Sequence, residues 1–197
     1  MHRIPAFGLS LDTNNTRRDT LKSSLPSWIA IRWLISSKDE DPIIGNKDSH
    51  IHAYEKGRLV KAKGFLVLED DAIMVRPEVL NTIWQTFPPD WDIILLGALT
   101  LQPHDEVCGN YFRVESFSGA HAYLVNVNSV VKVMTQVMTS DKPIDWALDG
   151  NYLRIYAATP FAFMISGATS NITAKGFEYQ HVLASQLTND KYTKLSR

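Results

Sequence analysis

Gly64-Phe65-Leu66-Val67-Leu68 constrains the fold more than any other stretch of the chain, because it carries no polar side chain. A strand with one solvated face alternates apolar and polar residues. An unbroken apolar run of strand length belongs to a strand covered on both faces, which requires helices above and below the sheet. Three acids follow at once, Glu69-Asp70-Asp71. The end of such a strand borders the crevice where α/β sheets bind ligands, so the triplet marks a candidate site.

The remaining chain fits that architecture. Ile4–Leu11, Trp28–Ile35, Asp92–Leu96, Tyr111–Glu115 and His121–Val125 read as strands, and Ile155–Ala157 and Phe161–Ile165 as the strands that close the sheet. Thr16-Arg17-Arg18-Asp19 reads as a capping box opening a short helix. Ser49 caps a helix to about Lys61, and Pro77 opens another to about Phe87. Val127, Val130, Val131, Met134, Val137 and Met138 recur at helical spacing, and Ile144–Leu153 holds a further short helix. Lys38–Lys47, charged and broken by Pro42 and Gly45, reads as a loop. From Ser166 to Arg197 the chain turns polar, and a flexible segment is expected there. The expected fold class is α/β: one Rossmann-like domain over residues 1–197, with a mixed, mostly parallel sheet flanked by helices.

Composition narrows the functional classes. Twenty Lys and Arg against 21 Asp and Glu leave a formal charge of −1, which disfavours a nucleic-acid binder held by a whole-protein basic field. A single cysteine, Cys108, rules out an intramolecular disulfide and a multi-cysteine zinc site. No apolar run reaches membrane-spanning length, and the N-terminus lacks the long apolar centre of a signal peptide. A soluble, cytoplasmic protein is expected.

Carboxylates crowded at a strand end repel one another, and a divalent cation relieves that repulsion. Mg²⁺ or Mn²⁺ takes oxygen ligands and bridges one or two carboxylates to substrate phosphates. If the chain stays extended through the triplet, Glu69 and Asp71 point one way, toward metal and nucleotide. Asp70 then points elsewhere, toward a sugar or the backbone. The alternative reading is a solvated acidic turn.

Several segments, in order, resemble glycosyltransferase family 25, the lipopolysaccharide and collagen galactosyltransferase group. Phe65-Leu66-Val67-Leu68-Glu69-Asp70-Asp71-Ala72 resembles the family's acidic motif. Leu11-Asp12 with Arg17 resembles its N-terminal strand and Arg-containing turn, and Ser49-His50 its Ser-His helix. Trp91-Asp92-Ile93-Ile94-Leu95-Leu96-Gly97 and Gly119-Ala120-His121-Ala122-Tyr123-Leu124 resemble two further strands, and Pro143-Ile144-Asp145 a Pro-x-Asp element. Pro160 and Ser170-Asn171-Ile172 resemble its closing pieces, with Asn171 where the family usually has an acid. The segment Gln102–Gly109 has no counterpart in the family pattern.

The resemblance implies a GT-A type fold and transfer of a hexose, galactose or glucose, from a UDP-sugar with inversion and a divalent metal, Mn²⁺ or Mg²⁺. Under it, Glu69 and Asp71 hold the metal, with His181 a third ligand near the C-terminus. Asp12, Arg17, Arg18, Asp70 and His121 serve the donor. The two arginines read equally as a solvated helix start, and for His121 a satisfied core histidine is the slightly favoured alternative. Asp145 is the candidate base, with Asp149 one turn later as its reserve; a helix cap is the alternative for Asp145. Trp146 beside it is a candidate acceptor platform. The acceptor stays open among a glycan, a hydroxylated protein side chain and a modified base in nucleic acid. Two other classes compete: a nucleotidyltransferase of similar fold, disfavoured by a first strand with only Gly8, and a non-catalytic nucleotide-sugar-binding module.

Overall fold

A computed structural model describes residues 3–148 and 152–166. Along the chain these form β1 (Ile4–Leu11), α1 (Asn15–Ser24), β2 (Ile29–Ser36), α2 (Pro42–Gly57), β3 (Gly64–Glu69), β4 (Ala72–Met74) and α3 (Pro77–Gln85). Then come β5 (Ile93–Gly97), β6 (Thr100–Cys108), β7 (Tyr111–Ser118), β8 (Ala122–Asn126), a 3-10 turn at Val127–Ser129 and α4 (Val130–Thr139). α5 (Ile144–Ala147), β9 (Ile155–Ala158) and β10 (Phe163–Ile165) complete the order. Asp149, His181 and Ser170-Asn171-Ile172 lie outside the described residues, as does nearly all of the tail expected to be flexible.

Eight strands form one sheet in the order β2-β1-β3-β8-β5-β9-β7-β6. β1 pairs in parallel with β2 and with β3, and β5 with β9, whereas β8 and β7 run against their neighbours. Six of the eight strands therefore share one direction, the mixed and mostly parallel α/β sheet expected from the sequence.

The apolar run at 64–68 is β3, and its side chains alternate between two cores. Phe65 and Val67 join Phe7, Leu9, Tyr54 and Tyr123 beneath α2 and α4. Leu66 and Leu68 join Ala6, Leu21, Leu80 and Leu124 beneath α1 and α3. The chain leaves β1 to one side for β2 and returns to its other side for β3. The carboxyl ends of β1 and β3 thus flank a topological switch point, where open α/β sheets form their ligand crevice.

Four local expectations are corrected. Residues 42–47 are helical rather than loop: Asp41 Oδ1 accepts from the backbone N–H of Ile43 at 2.8 Å and of Ile44, and Pro42 fits the first turn. Ser49 is accordingly inside α2, donating to the Gly45 carbonyl at 2.9 Å, and the helix ends at Gly57 rather than near Lys61. No capping box opens α1: its N-cap is Asn14, and the Asn14 side chain is directed to Asp70 instead. Lastly, β10 does not close the main sheet but pairs antiparallel with β4 in a separate ribbon, and β6, drawn from the polar 102–109 segment, forms the outer edge.

At the close of α2, a Cβ added to Gly57 would collide with the Phe65 ring, so helix and strand meet here without room for a methyl group. Gly57→Ala should destabilise the protein by about 1–3 kcal/mol, the usual range for overpacking a filled core. Urea unfolding measures this, and an unchanged midpoint would contradict so close an approach.

Candidate active site

Ser10 and Leu11 close β1, and Glu69 closes β3. These strand ends, with Asn14, Arg17, Ser36, Asn46 and Ser49, line an open cleft together with Asp70 and Asp71. The three acids do not alternate as an extended strand would dictate, because β3 stops at Glu69 and residues 70–71 form a turn. Asp70 and Asp71 face a common partner, while Glu69 turns to α2.

That common partner is Arg17. Its Nε lies 2.8 Å from Asp70 Oδ1, and a terminal guanidinium nitrogen lies 2.9 Å from Asp71 Oδ2. Asp70 has further support: Ser10 Oγ donates to Oδ2 at 2.6 Å, and Asn14 Nδ2 donates to the same oxygen at 3.0 Å. Arg18 donates to Ser10 Oγ at 3.0 Å, so the hydroxyl accepts from Arg18 and keeps its single proton for Asp70. Asp71 is held less well. Among the described residues its Oδ1 is buried with no hydrogen-bond partner, as is Arg17 Nε–H. Burial pushes the Asp71 carboxyl up and the Glu69 charge adds to this; Arg17 opposes both, leaving it at about 7. The Asp71 backbone is nevertheless fixed, since the Ser166 N–H beyond β10 donates to its carbonyl at 2.6 Å.

Glu69 belongs to a different network. His50 Nε2 lies 3.1 Å from Glu69 Oε1, and Asn46 Nδ2 donates to the same oxygen at 3.2 Å. On its other side His50 Nδ1 lies 2.6 Å from the Tyr123 hydroxyl, itself 2.6 Å from the Tyr54 hydroxyl. With Glu69 ionised and the imidazole neutral, Nε2–H donates to the carboxylate, Tyr123 donates to Nδ1 and Tyr54 donates to Tyr123. Burial pushes the Glu69 carboxyl up, but the His50 hydrogen bond and charge, the Asn46 hydrogen bond and the nearby His121 together more than offset it, and the group titrates below its ordinary value. His50, Tyr54 and Tyr123 are fully buried, so the negative charge of Glu69 is held on a rigid base.

The other candidates fall as follows. Asp12 is exposed; its backbone carbonyl accepts from Arg18 at 3.3 Å, and it does not line the cleft. His121 is buried with both ring nitrogens unpartnered, packed against Gly97, and its carbonyl accepts from the Glu69 N–H at 2.9 Å. Its ring is therefore part of the core beneath the acidic turn. Asp145 opens α5, where Oδ2 accepts from Gly119 N–H at 3.1 Å and Oδ1 from Trp146 N–H at 3.1 Å. It does not line the cleft. Trp146 is 57% exposed and faces a shallow groove lined also by Thr100, Gln102, Ser116, Ser118 and Lys142.

Ser10, Asn14, Asn46, Tyr54 and Tyr123 were not legible as site residues. His50 was visible in the Ser49-His50 pair, but its bond to Glu69 depends on how α2 crosses β3. Among the described residues no three His, Cys, Asp or Glu side chains converge on one point.

No family model matches the sequence, and no curated protein matches it. Solved structures do match the fold. The glycosyltransferase GlyE of Streptococcus pneumoniae TIGR4 superposes with a TM-score of 0.56 at 9% identity, covering 98% of this chain. This chain spans 64% of the length of that structure. The galactosyltransferase LgtC, solved with donor and acceptor sugar analogs, superposes with a TM-score of 0.52 at 10% identity, covering 98% of this chain and 95% of its own.

Burial holds the His121 imidazole down at about 4, against 6.5 in an unfolded chain. The unfolded state therefore binds a proton between those values that the folded state does not, and stability falls as pH drops from about 6.5 to 4. His121→Leu, which also removes two unpartnered nitrogens, should abolish that share of the acid sensitivity. Urea unfolding should show the wild type losing on the order of 2–3 kcal/mol more than the variant over this interval. Parallel losses would refute a neutral buried imidazole. The mixed sheet, its switch-point cleft and both superpositions agree on one conclusion: the chain has a GT-A type fold.

Proposed function

We propose that this chain is a glycosyltransferase that moves a hexose from a UDP-sugar to an acceptor hydroxyl, with inversion. The observation that carries the reading is the acidic turn itself: Asp70 and Asp71 line the cleft at the switch point, and a buried carboxylate oxygen of Asp71 has no hydrogen-bond partner among the described residues. The fold shared with GlyE and LgtC supports a nucleotide-sugar donor there.

Transfer faces two difficulties: the leaving diphosphate is anionic, and the acceptor hydroxyl is a weak nucleophile. Mg²⁺ or Mn²⁺ fits the donor set, since Asp70 and Asp71 offer hard oxygens that one cationic group, Arg17, already spans, and Asp71 Oδ1 has no other partner. Asp70 and Asp71 would hold the ion, which when bound supplies charge stabilisation to the departing diphosphate. Ser10 and Asn14 keep Asp70 in place, and Glu69, locked by His50, adds a fixed negative charge behind it. Ser36, Asn46 and Ser49 offer hydroxyl and amide groups to a nucleoside in the cleft. Arg18, tied to Ser10 and to the β1–α1 loop, organises that wall.

Asp145 is the proposed base. Its two backbone N–H contacts fix the carboxylate, and the neighbouring Trp146 ring with the hydroxyls of Thr100, Ser116 and Ser118 suits an acceptor sugar. The base takes the hydroxyl proton as the oxygen attacks from the face opposite the diphosphate.

Screening nucleotide sugars for Mn²⁺-dependent thermal stabilisation identifies the donor, since a bound ligand raises apparent stability by mass action. Asp71→Asn should lower donor hydrolysis at least about 100-fold, the loss expected when an electrostatic group at the leaving charge is removed. Full retained activity would sink the assignment. Asp145→Asn should keep UDP affinity and lower transfer by about 10²–10⁴, the range for losing a general base. Trp146→Ala should raise the acceptor KM with donor hydrolysis unchanged. UDP binding with no sugar release by any variant or the wild type would leave only a binding module.

A further inference from the structure

Arg17 occupies the place at which a cation would be expected. It sits 2.8 Å from Asp70 and 2.9 Å from Asp71, with 18% of its side chain exposed to the cleft. A guanidinium well matched to carboxylates makes two parallel, directed hydrogen bonds. Arg17 does not: its Nε–H and Asp71 Oδ1 are both buried without hydrogen-bond partners. The clamp is therefore held by charge, with hydrogen-bonding capacity left unused on each side.

The two carboxylates depend on it unequally. Asp70 keeps Ser10 and Asn14 whether or not Arg17 stays, whereas among the described residues Arg17 is the one side chain paired with Asp71. Departure of Arg17 would leave both carboxylate oxygens of Asp71 and one of Asp70 without a side-chain partner among the described residues.

Charge then sets the order of events. Four carboxylates line the cleft, Asp39, Glu69, Asp70 and Asp71, against two cations, Arg17 and Lys38, of which Arg17 is the one seated on Asp70 and Asp71; the donors of Arg18 go to Ser10, to Asn15 and to the backbone of residues 11 and 12. A diphosphate entering alone meets a net negative corner, and a divalent ion entering alone meets a guanidinium already seated on its ligands. Each obstacle is removed by the other ligand: the ion satisfies the carboxylates, and the displaced guanidinium, still lining the cleft, pairs with phosphate oxygens.

We propose that Arg17 is an exchangeable counter-ion that makes binding of the divalent cation and of the donor diphosphate mutually dependent. It closes the acidic corner when the cleft is free and passes from carboxylate to phosphate when both ligands arrive. This rests on the preceding reading of the corner as a nucleotide-sugar site. The exchange makes and breaks only ionic contacts, and no covalent bond changes. The coupling is reciprocal, so Mn²⁺ tightens UDP by the factor by which UDP tightens Mn²⁺.

Calorimetric titration with Mn²⁺ and UDP, separately and together, tests it in the wild type and in Arg17→Gln, with circular dichroism as the control for folding. The wild type should bind Mn²⁺ weakly alone and at least tenfold more tightly with UDP present. Arg17→Gln should bind Mn²⁺ alone at least tenfold more tightly than wild type, and the coupling factor should shrink by a similar amount. Unchanged Mn²⁺ affinity in folded Arg17→Gln overturns the exchange while leaving the nucleotide-sugar reading intact. Failure of the wild type to bind UDP with Mn²⁺ at millimolar concentration overturns that reading and the exchange with it. A measurement on the wild type alone covers the case of an unfolded variant. The Arg17 Nε–H nuclear magnetic resonance signal should move when Mg²⁺ and UDP are both added, and an equal movement with either ligand singly overturns the proposal.

Discussion

A carboxylate buried next to two others is stable only if something positive or hydrogen-bonding faces each of them, and the acidic turn after β3 meets this demand in three different ways. Glu69 receives His50 and Asn46, Asp70 receives Ser10, Asn14 and Arg17, and Asp71 receives Arg17 alone. Desolvating an unpaired carboxylate costs several kcal/mol, so this distribution of partners decides which group stays ionised and which approaches neutrality. Glu69 is held below its ordinary value, and Asp71 is pushed up to about 7. The fold is arranged around supplying those partners.

Each partner arrives on an element whose position follows from the sheet. β1 lies beside β3 and in parallel with it, so Ser10 at its carboxyl end reaches Asp70. The α1 start carries Asn14 and Arg17 over the same corner, and α2 crosses with His50 inward, stacked on Tyr123 of β8. The β4–β10 ribbon then takes the chain away at once and pins the Asp71 carbonyl through Ser166. A turn of two residues is thus fixed from three sides by segments far apart in sequence. Surfaces built this way are rigid in backbone, which leaves side-chain partner exchange as the available motion.

The elements that could be read from sequence are those in which local pattern and tertiary demand agree. Gly64–Leu68 had to be a doubly covered strand, and Ile4–Leu11 and the helix after Pro77 follow period and punctuation in the same way. The failures occur where a polar residue had two possible partners. Asp41 and Pro42 look like loop residues until Asp41 is seen bonding the N–H of Ile43, which turns the same two residues into a helix start. Asn14 would cap α1, but Asp70 claims its side chain, and the boundary shifts from the capping box expected at Thr16. In the site, the acids themselves were legible, yet their orientation was not. Alternation holds only while a chain is extended, and β3 ends one residue too early for Glu69 and Asp71 to share a face. β4 is three residues long and β10 equally short, and neither has a local signal strong enough to separate it from the main sheet.

The contrast between Glu69 and Asp71 also explains why one arginine suffices. A second fixed cation would give Asp71 Oδ1 a partner and pull that carboxyl back toward its ordinary range, but the corner would then be one charge less negative and its ligands committed. Leaving one buried oxygen without a partner among the described residues keeps a local imbalance of charge at the corner. Such an imbalance is tolerable because the neighbouring groups are over-determined: Asp70 has three partners, and Glu69 rests on a fully buried His50–Tyr123–Tyr54 chain. The stability of those two carboxylates permits the third to remain poorly satisfied, so the least stable group of the triplet is also the one best placed to exchange its partner.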